Sequence, residues 1–149
     1  PEEFKEKLKN IWEPMVDIKV VSRLILSKDI HSNATNEQII TFEERTKKVL
    51  LDKYVTTLIE FGNYSIETIE DIKVTKRRYE VSMKFYSASD SFITKFTIYK
   101  NSNGDYKIVN IIIDGINLGL TFRNSFQDTY IKYNKDLDKA IEAWRPTTF

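Results

Sequence analysis

The chain has 149 residues and a mass of 17.6 kDa, a length that buries roughly 70% of the surface it exposes when unfolded, so one substantial core is within reach. With 41% hydrophobic and 30% charged residues it has the composition of a folded protein, and 23 basic against 22 acidic residues leave no global field to draw in nucleic acid or an anionic membrane. The lack of cysteine excludes disulfides, thiolate metal sites and cysteine nucleophiles, and the longest apolar run, 108–113 interrupted by Asn110, falls far short of the ~20 residues that span a bilayer.

A soluble, single-domain protein over residues 1–149 is therefore expected. The opening Pro1-Glu2-Glu3 implies that any secretory signal has been removed or precedes the sequence in hand. Phe4, Leu8, Ile11 and Trp12 recur at helical spacing until Pro14 closes the segment. From Asp17, a candidate N-cap, Val20, Val21, Leu24 and Ile25 form a second apolar stripe ending near Ser27. Residues 29–36 read as a polar turn. Thr35-Asn36 with Glu37-Gln38 behind them can cap a long third helix, whose stripe of Ile39, Phe42, Val49, Leu50, Tyr54, Leu58 and Phe61 runs to Gly62, interrupted by Thr46.

Beyond Gly62 the period becomes two. Tyr79, Val81, Met83 and Phe85 alternate with Glu80, Ser82, Lys84 and Tyr86, which predicts a half-buried strand. Strands are predicted over 64–70, 71–76, 78–87, 92–100 and 106–114, with turns at 88–91 and 101–105, so an antiparallel meander follows. The last third returns to a helical period through Leu118, Phe122, Phe126 and Tyr130, then Leu137, Ile141 and Trp144. Helices flanking a meander make an α+β domain.

Little here suggests catalysis. His31, the single histidine, has no convergent ligands or base partner, and no G-x-S-x-G, P-loop or G-x-G-x-x-G occurs. Asp114, Asp128 and Asp136 are spread over separate segments and read as turn and cap carboxylates. The run Lys76-Arg77-Arg78 near Tyr79, Tyr86 and Tyr99 could be a nucleic-acid platform, but Tyr79 is in phase with the apolar face and the cations suit a solvated strand junction. The 9 Phe, 8 Tyr and 2 Trp fit a filled core or a hollow one, and periodicity does not distinguish them.

Two stretches carry a family resemblance. Tyr106-Lys107-Ile108-Val109-Asn110-Ile111-Ile112-Ile113-Asp114-Gly115-Ile116-Asn117-Leu118, followed by Thr121-Phe122-Arg123-Asn124-Ser125-Phe126, resembles the C-terminal hallmark of the MlaC or toluene-tolerance family of phospholipid-binding proteins. Upstream, Met15-Val16-Asp17-Ile18 with Ser22-Arg23-Leu24-Ile25-Leu26, and Ile39, Phe42, Leu50 and Tyr54, resemble its early and long helices. Asn110 stands where the family has aspartate, Tyr106 where it has tryptophan and Asn117 where it has serine, and the aromatic expected near Ile30 is missing.

The resemblance implies an NTF2-like α+β fold, a curved antiparallel sheet packed with N- and C-terminal helices around an apolar cavity. It implies a non-enzymatic periplasmic carrier that shuttles phospholipid between an inner-membrane MCE-protein/ABC transporter complex and an outer-membrane lipoprotein complex. The expected cavity wall comprises Val20, Leu24, Leu50, Tyr54, Leu58, Val81, Met83, Phe85, Phe96, Ile98, Ile111, Ile113, Leu118 and Phe122. Arg123 is expected to pair with Asp114 at the turn or to touch a headgroup. No cofactor other than bound phospholipid, no metal and no nucleic acid is expected, and the protein is expected to be a monomer. The alternatives are an NTF2-like enzyme or binder for a small apolar molecule, marked by a buried perturbed carboxylate, and a protein-interaction domain, marked by an exposed apolar patch without a pocket.

Overall fold

The structure, a computed structural model, describes residues 2–146, with the side chains of 54–58, 70 and 71 outside the description. The chain divides into two compact units, Pro1–Asp17 with Leu51–Asn117, and Ile18–Leu50 with Leu118–Phe149. Helix α4 (Asn36–Glu60) contributes to each.

The first unit contains α1 (Glu2–Trp12), a 3-10 turn at Glu13–Met15 started by Pro14, the end of α4 and the sheet. Lys9 Nζ lies 2.6 Å from the Asp52 carboxylate, a contact that raises the Lys9 pKa through its hydrogen bond and charge. The sheet is an antiparallel meander in the order β1 (Ser65–Thr75), β2 (Arg78–Tyr86), β3 (Ser91–Lys100), β4 (Tyr106–Ile113) and β5 (Ile116–Asn117).

The predicted segments 64–70 and 71–76 are one strand. Its pairing with β2 shifts between Ile69 and Lys73, where β1 carries two residues more than its partner, a bulge that keeps the alternation of faces in phase. A second irregularity falls in β4: Thr97 pairs with Asn110 and Ile98 with Ile108, leaving Val109 extra. That bulge lets Ile108 and Val109 be buried consecutively, whereas Ile111, Ile112 and Ile113 pair regularly and alternate between the two faces. Val16 bridges Ile108 in parallel, and the Asp17 amide donates to the Ile108 carbonyl at 3.0 Å.

Strand β5 was not predicted. Asp114 and Gly115 have φ of 50° and 80° in a two-residue loop between paired Ile113 and Ile116, the signature of a type I′ hairpin, and Asp-Gly is a pair that tolerates it. The Asn110 amide donates to Asn117 Oδ1 at 2.9 Å across this hairpin.

The second unit is helical: α2 (Ile18–Leu26), α3 (Lys28–Asn33), the start of α4, α5 (Leu118–Lys132) and α6 (Leu137–Ala143). The predicted cap of α4 is a reciprocal capping box, with the Thr35 amide donating to Gln38 Oε1 at 2.9 Å and the Gln38 amide to Thr35 Oγ1 at 3.1 Å. Two expectations are corrected. Residues 29–36 form mostly helix rather than turn, because Ser32 and Asn33 donate back to the Asp29 carbonyl and Ile30 is buried. The buried face of α2 is Val21, Ser22, Ile25 and Leu26, one residue round from the predicted stripe, and Leu24 is 44% exposed. Ser22 can be buried because its hydroxyl donates to the Lys19 carbonyl at 3.1 Å.

The core of this unit is aromatic. Trp144 stacks on Phe42 at 5.6 Å and meets Phe126 and Phe122 edge-on at 5.7 and 6.4 Å, and its indole donates to Ser125 Oγ at 3.2 Å. Asp136 caps α6 by accepting from the Lys139 amide at 3.1 Å.

Candidate functional site

Directly paired residues of an antiparallel sheet point to the same side, so the register assigns every strand residue to a face. Tyr79 pairs with Ile98 and Ile98 with Ile108; Val81 pairs with Phe96 and Phe96 with Ile111; Met83 pairs with Thr94 and Thr94 with Ile113; Phe85 pairs with Phe92. The seven strand positions expected to line a cavity, Val81, Met83, Phe85, Phe96, Ile98, Ile111 and Ile113, therefore share one face. Glu80, Ser82, Lys84, Lys95, Thr97 and Asn110 are on the other.

On the apolar face, Ile111 is 3% exposed and the other six positions are half-buried. An apolar surface left partly accessible across three strands can take hydrocarbon without moving the backbone, gaining roughly 25 cal/mol for each Å² removed from water. Its one buried polar side chain among the described residues is Thr94.

Where β2 and β3 meet the end of α4, the face runs into rings. Phe92 stacks on Phe85 at 5.3 Å and lies 5.0 Å from Phe61 and 5.7 Å from Tyr64. The predicted wall omits Phe92, although its two-residue spacing to Thr94, Phe96 and Ile98 is the signal that finds it.

The helical positions of the predicted wall are not equivalent. Leu50, Leu118 and Phe122 are closed off, at most 1% exposed, with Phe122 packed against Trp144. Val20 is half-buried and Leu24 exposed, while the side chains of Tyr54 and Leu58 lie outside the described residues. Arg123 is exposed on α5, and Asp114 is exposed in the β4–β5 turn.

Two grooves lie within single units, and none of the fourteen predicted positions lines either. One, of about 620 Å³, is on the charged face of the sheet between Glu80, Lys84, Lys95 and Ile112, with Glu80 and Lys95 paired at 3.9 Å. The other, of about 600 Å³, lies among Ser27, Asn33, Gln127 and Lys135 of the helical unit. Among the described residues no three His, Cys, Asp or Glu side chains are grouped to hold a metal, and no helix is long and apolar enough to cross a membrane.

The family model described as MlaC protein matches residues 1–146. The chain is 32% identical over 145 residues to the toluene tolerance protein ttg2D of Pseudomonas putida, a match that covers 97% of this chain and 67% of that protein. In fold it is similar to a phospholipid-binding protein from Ralstonia solanacearum, solved in complex with a phospholipid. That likeness has a TM-score of 0.75 at 20% identity and covers 93% of this chain and 82% of the other. The α+β, NTF2-like fold with a curved antiparallel sheet is thereby shared with a solved structure.

Proposed function

Because the chain belongs to the MlaC family, we propose that it is a phospholipid carrier that holds acyl chains in an apolar cavity walled by one face of its sheet. The observation that carries this reading is the register that brings Val81, Met83, Phe85, Phe96, Ile98 and Ile113 together as a half-buried apolar face. The phospholipid bound by the Ralstonia protein of the same fold supports it. Each acyl methylene hidden from water contributes about 0.8 kcal/mol, so free lipid does not cross an aqueous compartment at useful rates and an escort removes that barrier.

In this reading residues 1–149 act as one monomeric lipid-binding domain without catalysis. The carrier works in the periplasm, between an inner-membrane MCE-protein/ABC transporter complex and an outer-membrane lipoprotein complex, and so maintains outer-membrane lipid asymmetry. Leu50, Leu118 and Phe122 then serve as core, their closed packing leaving no surface for a ligand.

Native mass spectrometry of the purified protein tests the proposal. A mass excess equal to a phospholipid, removed by organic extraction, is the expected result. A bare chain mass from cells and no uptake from added lipid would overturn it.

A further inference from the structure

The near-neutral charge of the whole chain hides a cluster of cations at one end of the sheet. Thr75 pairs with Arg78, Arg78 with Tyr99 and Tyr99 with Lys107, so the β1–β2 turn, the end of β3 and the start of β4 lie side by side. Lys76, Arg77, Arg78 and Lys100 are exposed there, and none of the four enters an ion pair among the described residues. The Lys100 amide donates to the Arg77 carbonyl at 3.2 Å, which holds the turn against β3. Lys107 is engaged with the Pro14 carbonyl, Glu80, the acid of β2, is paired with Lys95, and Asp105 is the acid of the neighbouring loop.

Tyrosines are interleaved with these cations. The Arg78 guanidinium lies 5.9 Å from the Tyr99 ring centre and the Lys100 ammonium 5.6 Å from that of Tyr106, which is 57% exposed. Tyr79 meets Tyr106 edge-on at 5.6 Å. A ring with a polar tip flanked by cations suits the boundary between water and lipid headgroups.

We propose that this end of the sheet docks the protein onto a bilayer surface bearing anionic phospholipid headgroups. The inference rests on the carrier reading for its purpose, since a lipid carrier must meet a membrane, but the contact is argued from the clustered charge and the interfacial rings. Nucleic acid is the poorer fit, because base stacking needs open ring faces and a cation already lies over one face of Tyr99 and one face of Tyr106. An anionic surface asks only for clustered charge and interfacial rings, and each cation held near it strengthens partitioning about fivefold.

The test is co-sedimentation of the intact protein with phosphatidylcholine vesicles, with and without phosphatidylglycerol, at low and high salt. Binding should require phosphatidylglycerol and weaken with salt. K76Q/R77Q, at two exposed turn positions, removes two cations and should lower it about twentyfold, and K76E/R77E, which also adds two repelling charges, by more, while the phospholipid content seen by mass spectrometry stays unchanged. K28E/K48E alters net charge equally in the helical unit and should leave binding in place.

Equal binding to neutral vesicles, equal loss in K28E/K48E, or tighter capture of single-stranded DNA at the same salt would overturn the proposal. A protein that carries no lipid yet binds these vesicles would sink the carrier reading and leave the docking surface standing.

Discussion

Arg45 donates from Nη2 to the backbone oxygen of Trp144 at 2.7 Å, tying the middle of α4 to the residue that closes α6. The acceptor is one of the carbonyls a helix end leaves without an internal partner, and the donor carries a full charge. Arg145 reaches the same oxygen at 2.9 Å from the exposed side. Arg45→Met keeps the apolar stem and removes this bond, so it should cost about 1.5–3 kcal/mol in urea unfolding. Arg145→Met should cost less than 0.5 kcal/mol, roughly the scale of ordinary surface changes. Equal effects would show that the exposed arginine carries the contact.

Thr46 presents the opposite case. It is fully buried in the apolar stripe of α4, and its hydroxyl finds no partner among the described residues. Replacing it with valine keeps the branched shape and removes an unsatisfied polar atom, so Thr46→Val should raise stability by about 1 kcal/mol. A loss of stability would reveal a hydrogen bond, direct or through water, at this hydroxyl.

Gly115 has open space where a Cβ would be, yet its φ of 80° is one that side-chain-bearing residues rarely adopt. Gly115→Ala should therefore cost about 1–2 kcal/mol from backbone conformation alone. Gly115→Asn should cost less, because asparagine tolerates the left-handed region. A thermal melt of each variant decides the ranking, and equal costs would contradict the type I′ assignment.

The sheet face can be probed at two depths. Val81 and Ile111 are on the same face through Phe96, but Val81 is half-buried and Ile111 nearly closed. Val81→Asp should abolish lipid retention while keeping a cooperative melt, because a charge there can hydrate when the ligand is absent. Ile111→Asp buries an unpaired carboxylate and should unfold the unit. If Val81→Asp also unfolds, the face is filled core rather than ligand wall.

The sheet was legible in the sequence because its period is two and its turn residues are conspicuous. Val81, Met83 and Phe85 share a face by alternation, and that face extends to Phe96, Ile98, Ile111 and Ile113 once the strands pair. Helix α3 was not legible, because Asp29, Ser32 and Asn33 look like turn formers until their side chains are seen closing bonds within one helical turn. The face of α2 was misjudged because Ser22 counts as polar by type but not once its hydroxyl is satisfied. Hairpin β4–β5 could have been read from Asp114-Gly115 between isoleucines, whereas the bulges at Ile69/Lys73 and Val109 have no sequence mark.

Strand β1 is at the rim of the sheet, with no strand paired to its outer side among the described residues, and Ile66, Ile72 and Val74 are exposed along it. An edge strand of 11 residues is a template on which another chain can add by main-chain hydrogen bonds, the first step towards fibrils. The two extra residues between Ile69 and Lys73 interrupt the regular pairing and divide that template into two shorter runs. Removing two residues from the bulge would straighten β1 into a continuous adhesive edge, and the shortened protein should gain thioflavin fluorescence on standing where the native chain does not. On that outcome the irregularity acts as a guard against self-association along the exposed apolar edge.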